Sequence, residues 1–312
     1  MAAKLIAVGC LVLLPLCIVG QSDSLEKAKS LVNAQRYDEA MDAFESLLAG
    51  DAENQAARGG EIDAASKEAL DLRKKGQMED ALAVLLRARK AVGEDPVLLF
   101  EIGILENQMH LNHDADESLH KALLLRPSDP ATLYAVARVK MELGQLPDAE
   151  VAMRSYLQQR PGDASAHYGL GRILLISLKN GDALQEFQHS IALQPAQSES
   201  YYEIGEIALQ AGDLDRATEN YQTCLKRDAN HGGALTGMGI VAFRRKQYQE
   251  AEDYLERGVR ADPSYQTAHY YLGLTLAKLG HKEESEAELA TAVRMANEEN
   301  SRKKQGVRLA PQ

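Results

Sequence analysis

Residues 198–231 decide the fold, and they read SESYYEIGEIALQAGDLDRATENYQTCLKRDANH. Their apolar residues recur at the three- and four-residue spacing of an α-helix, in two separate stripes. The first stripe holds Tyr201, Ile204, Ala208 and Leu209, and the second holds Ala217, Tyr221, Cys224 and Leu225. Gly212 and Asp213 lie between the stripes, where they break the helical pattern. This stretch therefore predicts two helices joined by a tight turn.

The same pattern recurs every 34 residues along the chain, and a period of this length indicates an array of small units. One column holds Ala81, Ala115, Ala149, Ala183, Ala217 and Ala251. A second holds Pro127, Pro161, Pro195 and Pro263, and a third holds Gly103, Gly171, Gly205, Gly239 and Gly273. Gly144, Gly181 and Gly280 lie near the turn position of Gly212 and are expected to end the first helix of their units.

These columns resemble the tetratricopeptide repeat. The unit 164–197 matches that family's pattern at Leu170, Gly171, Leu174, Ala183, Phe187, Ser190 and Pro195. The unit 198–231 matches it at Tyr201, Ile204, Gly205, Ala208, Ala217, Tyr221 and Cys224. The resemblance covers residues 21–299 and implies an all-α fold, in which antiparallel helix pairs stack into a right-handed superhelical solenoid.

The predicted array contains about eight repeats, at 21–54, 55–95, 96–129, 130–163, 164–197, 198–231, 232–265 and 266–299. Its 279 residues equal eight units of 34 plus seven extra residues. Because seven residues make two helical turns, we place them in the first helix of the second repeat, around Gln55–Asp63. A loop at Gly59 and Gly60 is the alternative. Residues 300–312 are predicted to extend the last helix to about Gln305, with its end near Gly306, and to be disordered from Val307.

Residues 1–20 are interpreted as a secretory signal peptide. One basic residue, Lys4, precedes an apolar run from Leu5 to Val19 that is too short for a membrane-spanning helix. Cleavage is expected after Gly20, with lipidation at Cys10 or Cys17 and an uncleaved anchor as alternatives. The protein is thus expected to be exported, either periplasmic or secreted, and membrane-bound only if this segment is retained or lipidated.

The composition excludes several classes of protein. The chain has 312 residues, with 35 basic and 46 acidic residues and a net charge of −11, which argues against binding of nucleic acid through phosphate contacts. Loss of Lys4 with the signal would make the charge −11 − 1 = −12. Three cysteines are too few for a disulfide framework, and Cys224 would remain alone after cleavage.

Candidate chemical motifs are few, and each has a structural interpretation. His110, His113, Asp114 and His120 are the densest set of potential metal ligands, and we interpret them as solvated surface residues rather than a zinc site. Cys224 occupies a column held elsewhere by alanine and is interpreted as a buried thiol. We therefore predict no catalytic residue, no metal, no cofactor and no enzymatic activity.

The resemblance implies a binding surface on the concave side of the array, lined by the first helix of each repeat. The family's groove positions correspond here to Phe100, Tyr134, Arg138, Tyr168, Arg172, Tyr202 and Tyr270. Seven groove positions are basic, namely Lys29, Arg73, Lys74, Arg138, Arg172, Arg244 and Lys278. Four are acidic, namely Asp63, Glu142, Glu199 and Glu206, so the net charge of the groove is 7 − 4 = +3. A positive groove on an acidic chain favours an acidic or aromatic-bearing extended segment.

The predicted function is a non-enzymatic scaffold that binds a protein or peptide in an exported compartment, in envelope assembly, secretion or the scaffolding of a complex. The alternative is a binding or regulatory module for a cell-envelope polysaccharide or an enzyme complex, since tyrosine rings stack on sugars as well as on peptides.

Overall fold

A computed structural model describes the backbone of residues 15–309 and the side chains of residues 23–301. Over that part of the chain the structure consists of sixteen α-helices and contains no strand. The helices are α1 Pro15–Asn33, α2 Tyr37–Gly50, α3 Gln55–Lys74, α4 Met78–Val92, α5 Pro96–Gln108, α6 Asn112–Leu125, α7 Pro130–Glu142, α8 Leu146–Gln159, α9 Ala164–Ile176, α10 Asn180–Leu193, α11 Glu199–Ala211, α12 Leu214–Arg227, α13 Gly232–Arg244, α14 Tyr248–Ala261, α15 Gln266–Leu279 and α16 Lys282–Leu309.

Odd-numbered helices are the first helices of their repeats and even-numbered helices are the second. The all-α array of helix pairs is confirmed. Of the predicted signal peptide, residues 1–14 lie outside the described part of the chain, and α1 already includes residues 15–20. Among the helices of the described residues, none combines the length and the apolar character needed to cross a membrane.

The chain divides into two compact units, residues 1–156 and 157–312. In the first unit, α1 to α5 share a core whose largest fully buried side chains include Phe44, Met41, Leu85 and Leu98. In the second unit, the core continues along the helix pairs and contains Phe187 and Tyr221, both with no exposed surface. Both cores are built mainly of alanine and leucine, and they pack around large side chains such as Phe44 in the first unit and Phe187 and Tyr221 in the second.

Polar side chains begin many of the first helices. Asp95, Asp129 and Asp163 accept hydrogen bonds from backbone N–H groups in the first turns of α5, α7 and α9. Asn54 does the same for α3. The equivalent position before α13 is His231, whose Nδ1 accepts from the N–H of Ala234 at 3.1 Å. One column of the repeat therefore satisfies amides that have no partner within the helix.

A left-handed residue ends each first helix. This position recurs every 34 residues from Gly76 onward, and Gly76, Gly144, Gly212 and Gly280 occupy it with φ between 72° and 90°. Gln35, His110, Leu178 and Lys246 adopt the same conformation without being glycine, with φ between 58° and 63°. The prediction for Gly181 was wrong, because this residue lies inside α10 and the turn is made by Leu178. The repeat imposes the backbone conformation even where the residue does not favour it.

The seven extra residues lie in α3. That helix has 20 residues, whereas α5, α7, α9, α11 and α13 have 13 each. It continues without interruption through Gly59 and Gly60, so the helical placement is correct and the loop alternative is wrong. Two added turns leave the apolar face in register, which explains why the following pairs are undisturbed.

The last helix is longer than the sequence analysis predicts. α16 spans 28 residues and runs through Gly306 to Leu309, instead of ending near Gly306, so residues 307–309 are helical rather than disordered. A glycine inside a helix costs only about 1 kcal/mol, which does not by itself end the helix. Residues 310–312 lie outside the described part of the chain.

The glycine column of the first helices allows each of them to approach its own second helix. A Cβ atom added at Gly205 would lie 2.6 Å from Cε1 of Tyr221, and one added at Gly171 would lie 2.6 Å from Cε1 of Phe187. Gly103, Gly239 and Gly273 meet leucine side chains in the same way. Tyr221 is also confined by the next repeat, because a Cβ atom added at Gly237 would overlap its ring.

An unusual carboxyl group is buried where α3 is extended. Glu61 has no exposed surface, and neither of its carboxyl oxygens has a hydrogen-bond partner. Burial raises the pKa of Glu61 to about 8, and the nearby Glu45 adds to this shift while Arg87 opposes it. Arg87 itself donates to Asp38 at 2.7 Å and to Glu45 at 2.8 Å, so it joins α4 to α2 but does not bond Glu61. Glu61 is therefore a protonated acid at neutral pH.

We expect Gly205→Leu to destabilise the second unit by about 1 to 3 kcal/mol, because the added side chain would displace the ring of Tyr221. Thermal unfolding followed by circular dichroism measures the effect. Gly181→Leu is the matched control, since Gly181 is helical and nothing lies within 4 Å of its added Cβ. Equal losses of stability in the two variants would contradict the close approach.

We expect Glu61→Gln to weaken the pH dependence of stability in the first unit. The folded chain keeps the Glu61 proton up to about pH 8, whereas an unfolded glutamate loses it near pH 4.3. Raising the pH through this window therefore destabilises the native state by about 1.4 kcal/mol per pH unit, a slope that glutamine lacks.

Urea unfolding at pH 5.5, 7.0 and 8.5 tests this prediction, and the advantage of Glu61→Gln over the natural chain should grow with pH. Glu53→Gln is the control, because it changes an exposed glutamate before α3 and leaves Glu61 in place. A parallel pH dependence of the natural chain and Glu61→Gln would contradict the prediction.

Candidate functional site

Three of the groove positions lie in the first unit. Phe100 on α5 and Tyr134 on α7 are half-buried, and Arg138 is exposed one turn after Tyr134. The ring of Tyr134 meets that of Tyr156 edge-on, with 5.2 Å between the ring centroids. The second helix of the repeat thus supports Tyr134 from behind, and Arg138 extends into solvent beside it.

In the second unit, Tyr168 and Arg172 of α9 converge on one carboxylate of α11. The Tyr168 hydroxyl donates to Oε1 of Glu203 at 3.4 Å, and Nε of Arg172 lies 3.7 Å from the same oxygen. Burial raises the pKa of Glu203 and, aided by the charge of Glu203, raises the pKa of Tyr168 to about 12. The Arg172 side chain remains 46% exposed, so it is positioned by Glu203 yet accessible to a ligand.

Tyr202 is held by a second set of contacts. Its ring lies 4.8 Å from that of His231 and 6.3 Å from that of Tyr221, measured between centroids. Burial raises the pKa of Tyr202 and of Tyr265, and the charge of the nearby Glu206 adds to both shifts. Next to it, the Tyr221 hydroxyl donates to Oε1 of Glu206 at 2.6 Å. Tyr202 is therefore a fixed, half-buried ring.

Tyr270 is the most exposed tyrosine of the groove column. It lies on α15 with 44% of its surface exposed, and its ring meets Tyr271 edge-on at 5.5 Å. The structure thus brings Tyr168 together with Arg172 and Tyr202 together with Tyr265, whereas the contacts of Tyr270 are made with its neighbour in sequence.

The sequence analysis missed Glu203. This residue belongs to a column that holds Gly60, Ala135, Gly169, Gly237 and Tyr271 in other repeats, and Glu101 in one. The column faces the large side chain of the preceding second helix, as Gly60 and Gly237 do. The signal that could have revealed Glu203 is its charge, since the other residues at this position are mostly glycine or alanine. Glu101 resembles it, since burial raises the pKa of Glu101 while Ser66, 35 residues earlier, opposes the shift.

These carboxylates change the predicted charge of the groove. With Glu203 counted, the second unit has three basic positions (Arg172, Arg244, Lys278) and three acidic ones (Glu199, Glu203, Glu206). Arg244 also donates to the backbone oxygen of Leu209 at 2.7 Å. The groove positions of this unit are therefore balanced in charge rather than positive.

The residues considered for chemistry have structural surroundings. Cys224 has no exposed surface, and burial raises the pKa of its thiol to about 12, so the nucleophilic thiolate is not populated at neutral pH. His110 forms the left-handed turn after α5, and His113, Asp114 and His120 are exposed. Among the residues whose side chains are described, these four do not form a three-ligand set.

Comparison with known families finds two matches. Residues 176–305 match the model of the cilia and flagella-associated protein 70 middle TPR-like domain, and residues 134–196 match a tetratricopeptide repeat model. No curated protein matches the chain significantly in sequence.

Solved structures of bacterial proteins resemble the chain at low sequence identity. PilF of Pseudomonas aeruginosa aligns with a TM-score of 0.58 and 18% identity, over 68% of this chain and 96% of that one. A tetratricopeptide repeat protein from Parabacteroides merdae gives 0.54 and 14%, over 82% and 98%. MamA from Desulfovibrio magneticus gives 0.52 and 20%, over 55% and 97%. At these identities the likeness concerns the fold. With its repeated helix pairs, its glycine column and both family models, the chain belongs to the tetratricopeptide repeat family.

Proposed function

We propose that the protein is a non-enzymatic scaffold that binds an extended segment of a protein partner on the first helices of the second unit. The observation that carries the proposal is the set of positioned side chains formed by Tyr168, Arg172 and Glu203. Side chains that are ordered before binding lose little conformational entropy on binding, which favours affinity. Tyrosine and arginine are also the residue types that contribute most to protein interfaces.

The geometry refines the chemistry of the proposed ligand. Because Arg172 is already close to Glu203 and the charged positions of this unit are balanced, a strongly acidic segment gains less than the sequence predicts. An aromatic side chain fits better, since it can pack beside Tyr168 and Tyr202 while backbone groups of the segment bond Arg172 and Glu203.

Selection from a displayed library of random peptides, followed by fluorescence anisotropy with the selected peptides, tests this proposal. We expect enrichment of aromatic-containing peptides and at least a tenfold loss of affinity, about 1.4 kcal/mol, in the variant Tyr168→Ala, Arg172→Glu, Tyr202→Ala. The control variant Tyr254→Ala, Arg257→Glu changes the same residue types on the second helix α14 and should bind normally. Equal binding by both variants, at retained helicity, would place the binding site elsewhere.

We further propose that the protein is exported and that residues 1–20 are removed. The support is the basic start and the apolar run of this segment. Expression in a bacterial host, osmotic release of the periplasm and mass spectrometry of the intact protein should give a mature chain that begins at Gln21. A full-length chain in the cytosol would refute export, and a lipid adduct on Cys10 or Cys17 would replace cleavage after Gly20 by lipoprotein processing.

A further inference from the structure

Two repeats of the second unit contain the same hydrogen-bonded arrangement. In one, Nδ1 of His167 lies 2.7 Å from Oε2 of Glu186, and its Nε2 lies 3.1 Å from the backbone oxygen of Pro161. Exactly three repeats later, His269 lies 2.6 Å from Glu288 and 3.0 Å from the oxygen of Pro263. In both repeats the histidine joins the first helix to the second helix and to the preceding turn. This arrangement is therefore part of how the repeat packs.

Only the earlier of these two repeats adds a third potential ligand. His189 lies one turn after Glu186 on α10, with its Nδ1 3.8 Å from the same carboxylate oxygen and its ring 5.3 Å from that of His167. One ligand atom from each of His167, Glu186 and His189 lies within 4.8 Å of the other two. In the later repeat the position of His189 is occupied by Thr291.

We propose that His167, Glu186 and His189 form a binding site for a divalent transition-metal cation such as Zn²⁺. Two imidazoles and a carboxylate are a donor set that this class of cation prefers. A cation would replace the proton shared by Nδ1 of His167 and Glu186, while the Nε2–H of the neutral ring donates to the oxygen of Pro161. Metal-binding histidines usually donate their other ring N–H to a carboxylate or a backbone carbonyl, which fixes the orientation of the ring.

The geometry needs a small adjustment that the site can make. Ligand atoms around a tetrahedral Zn²⁺ lie about 3.3 Å apart, given metal–ligand distances of about 2.0 Å. The side chains of His167 and Glu186 are 14% and 15% exposed and thus held in place, whereas that of His189 is 62% exposed and free to rotate inward. The fourth position faces solvent, where water or a ligand atom of another molecule can complete the coordination.

The sequence analysis did not find this set because the three ligands are separated by 19 and 3 residues and lie on two helices. Metal binding is also separate from the groove proposal, since it involves neither Tyr168 nor Arg172. The fold does not depend on the metal, because His269 and Glu288 make the same contacts in a repeat without a third ligand.

Titration of the full, untagged chain with ZnCl₂ in competition with a chromophoric chelator tests the proposal. We expect one equivalent of Zn²⁺ to bind, and His189→Thr to weaken binding at least about tenfold, since loss of even a residue that only hydrogen-bonds a ligand costs about 10- to 100-fold in affinity. His120→Gln removes a histidine outside the set and should leave the affinity unchanged. Thr291→His should create a second site and raise the stoichiometry to two.

The metal-free helicity and melting temperature of His189→Thr should match those of the natural chain, because threonine occupies this position beside His269 and Glu288. Absence of a Zn²⁺ equivalent in the natural chain, or undiminished binding by His189→Thr, would overturn the proposal. A stoichiometry of one for folded Thr291→His would also overturn it, because the two repeats share the same His–Glu–Pro contacts.

Discussion

The contact on which the array depends is that between a glycine of the first helix and a large side chain of the second. At Gly205 the missing side chain leaves room for the ring of Tyr221, and Gly237 of the next first helix confines the same ring from the other side. The ring is thus the core of its own repeat and part of the contact with the following one. The stability of such an array is the sum of the stabilities of its repeats and of the interfaces between neighbours. A ring in this position therefore contributes both to its own repeat and to the interface with the next one.

This packing also decides where polar groups can lie. The column that contains Gly237 faces the preceding large side chain, so a glutamate there is pressed against apolar surface and needs a partner. Glu203 obtains partners from Tyr168 and Arg172. Glu61, on the extended α3, has no hydrogen-bond partner, and it retains its proton because burial raises its pKa to about 8. A buried glutamate with hydrogen-bond partners and one without them therefore differ in how easily the carboxyl group loses its proton.

Periodicity predicted the helix pairs, the turns at Gly144, Gly212 and Gly280, and the placement of the extra residues in α3, because each follows from spacing that a sequence shows directly. It failed at Leu178, where the backbone is left-handed without a glycine, since this conformation is imposed by the helices on either side. It failed at Gly306, since a single glycine does not outweigh a continuing helix. Glu203 was not predicted as a site residue because its partners are 31 and 35 residues away in sequence, and only the packing of α9 beside α11 brings them together.

The His167–Glu186 contact illustrates how a repeat can acquire a new property without a change of fold. Its counterpart, His269 with Glu288, shows that the hydrogen bonds to the second helix and to the turn suffice for packing. The same bonds hold the Nδ1 atom of His167 beside the carboxylate of Glu186 on the second helix. Once they are present, one exposed residue a helical turn away decides whether the arrangement has two ligands or three. The position of His189 is exposed, so substitutions there have little effect on packing. In an array of this kind, such surface positions are where repeats of identical architecture can come to differ in function.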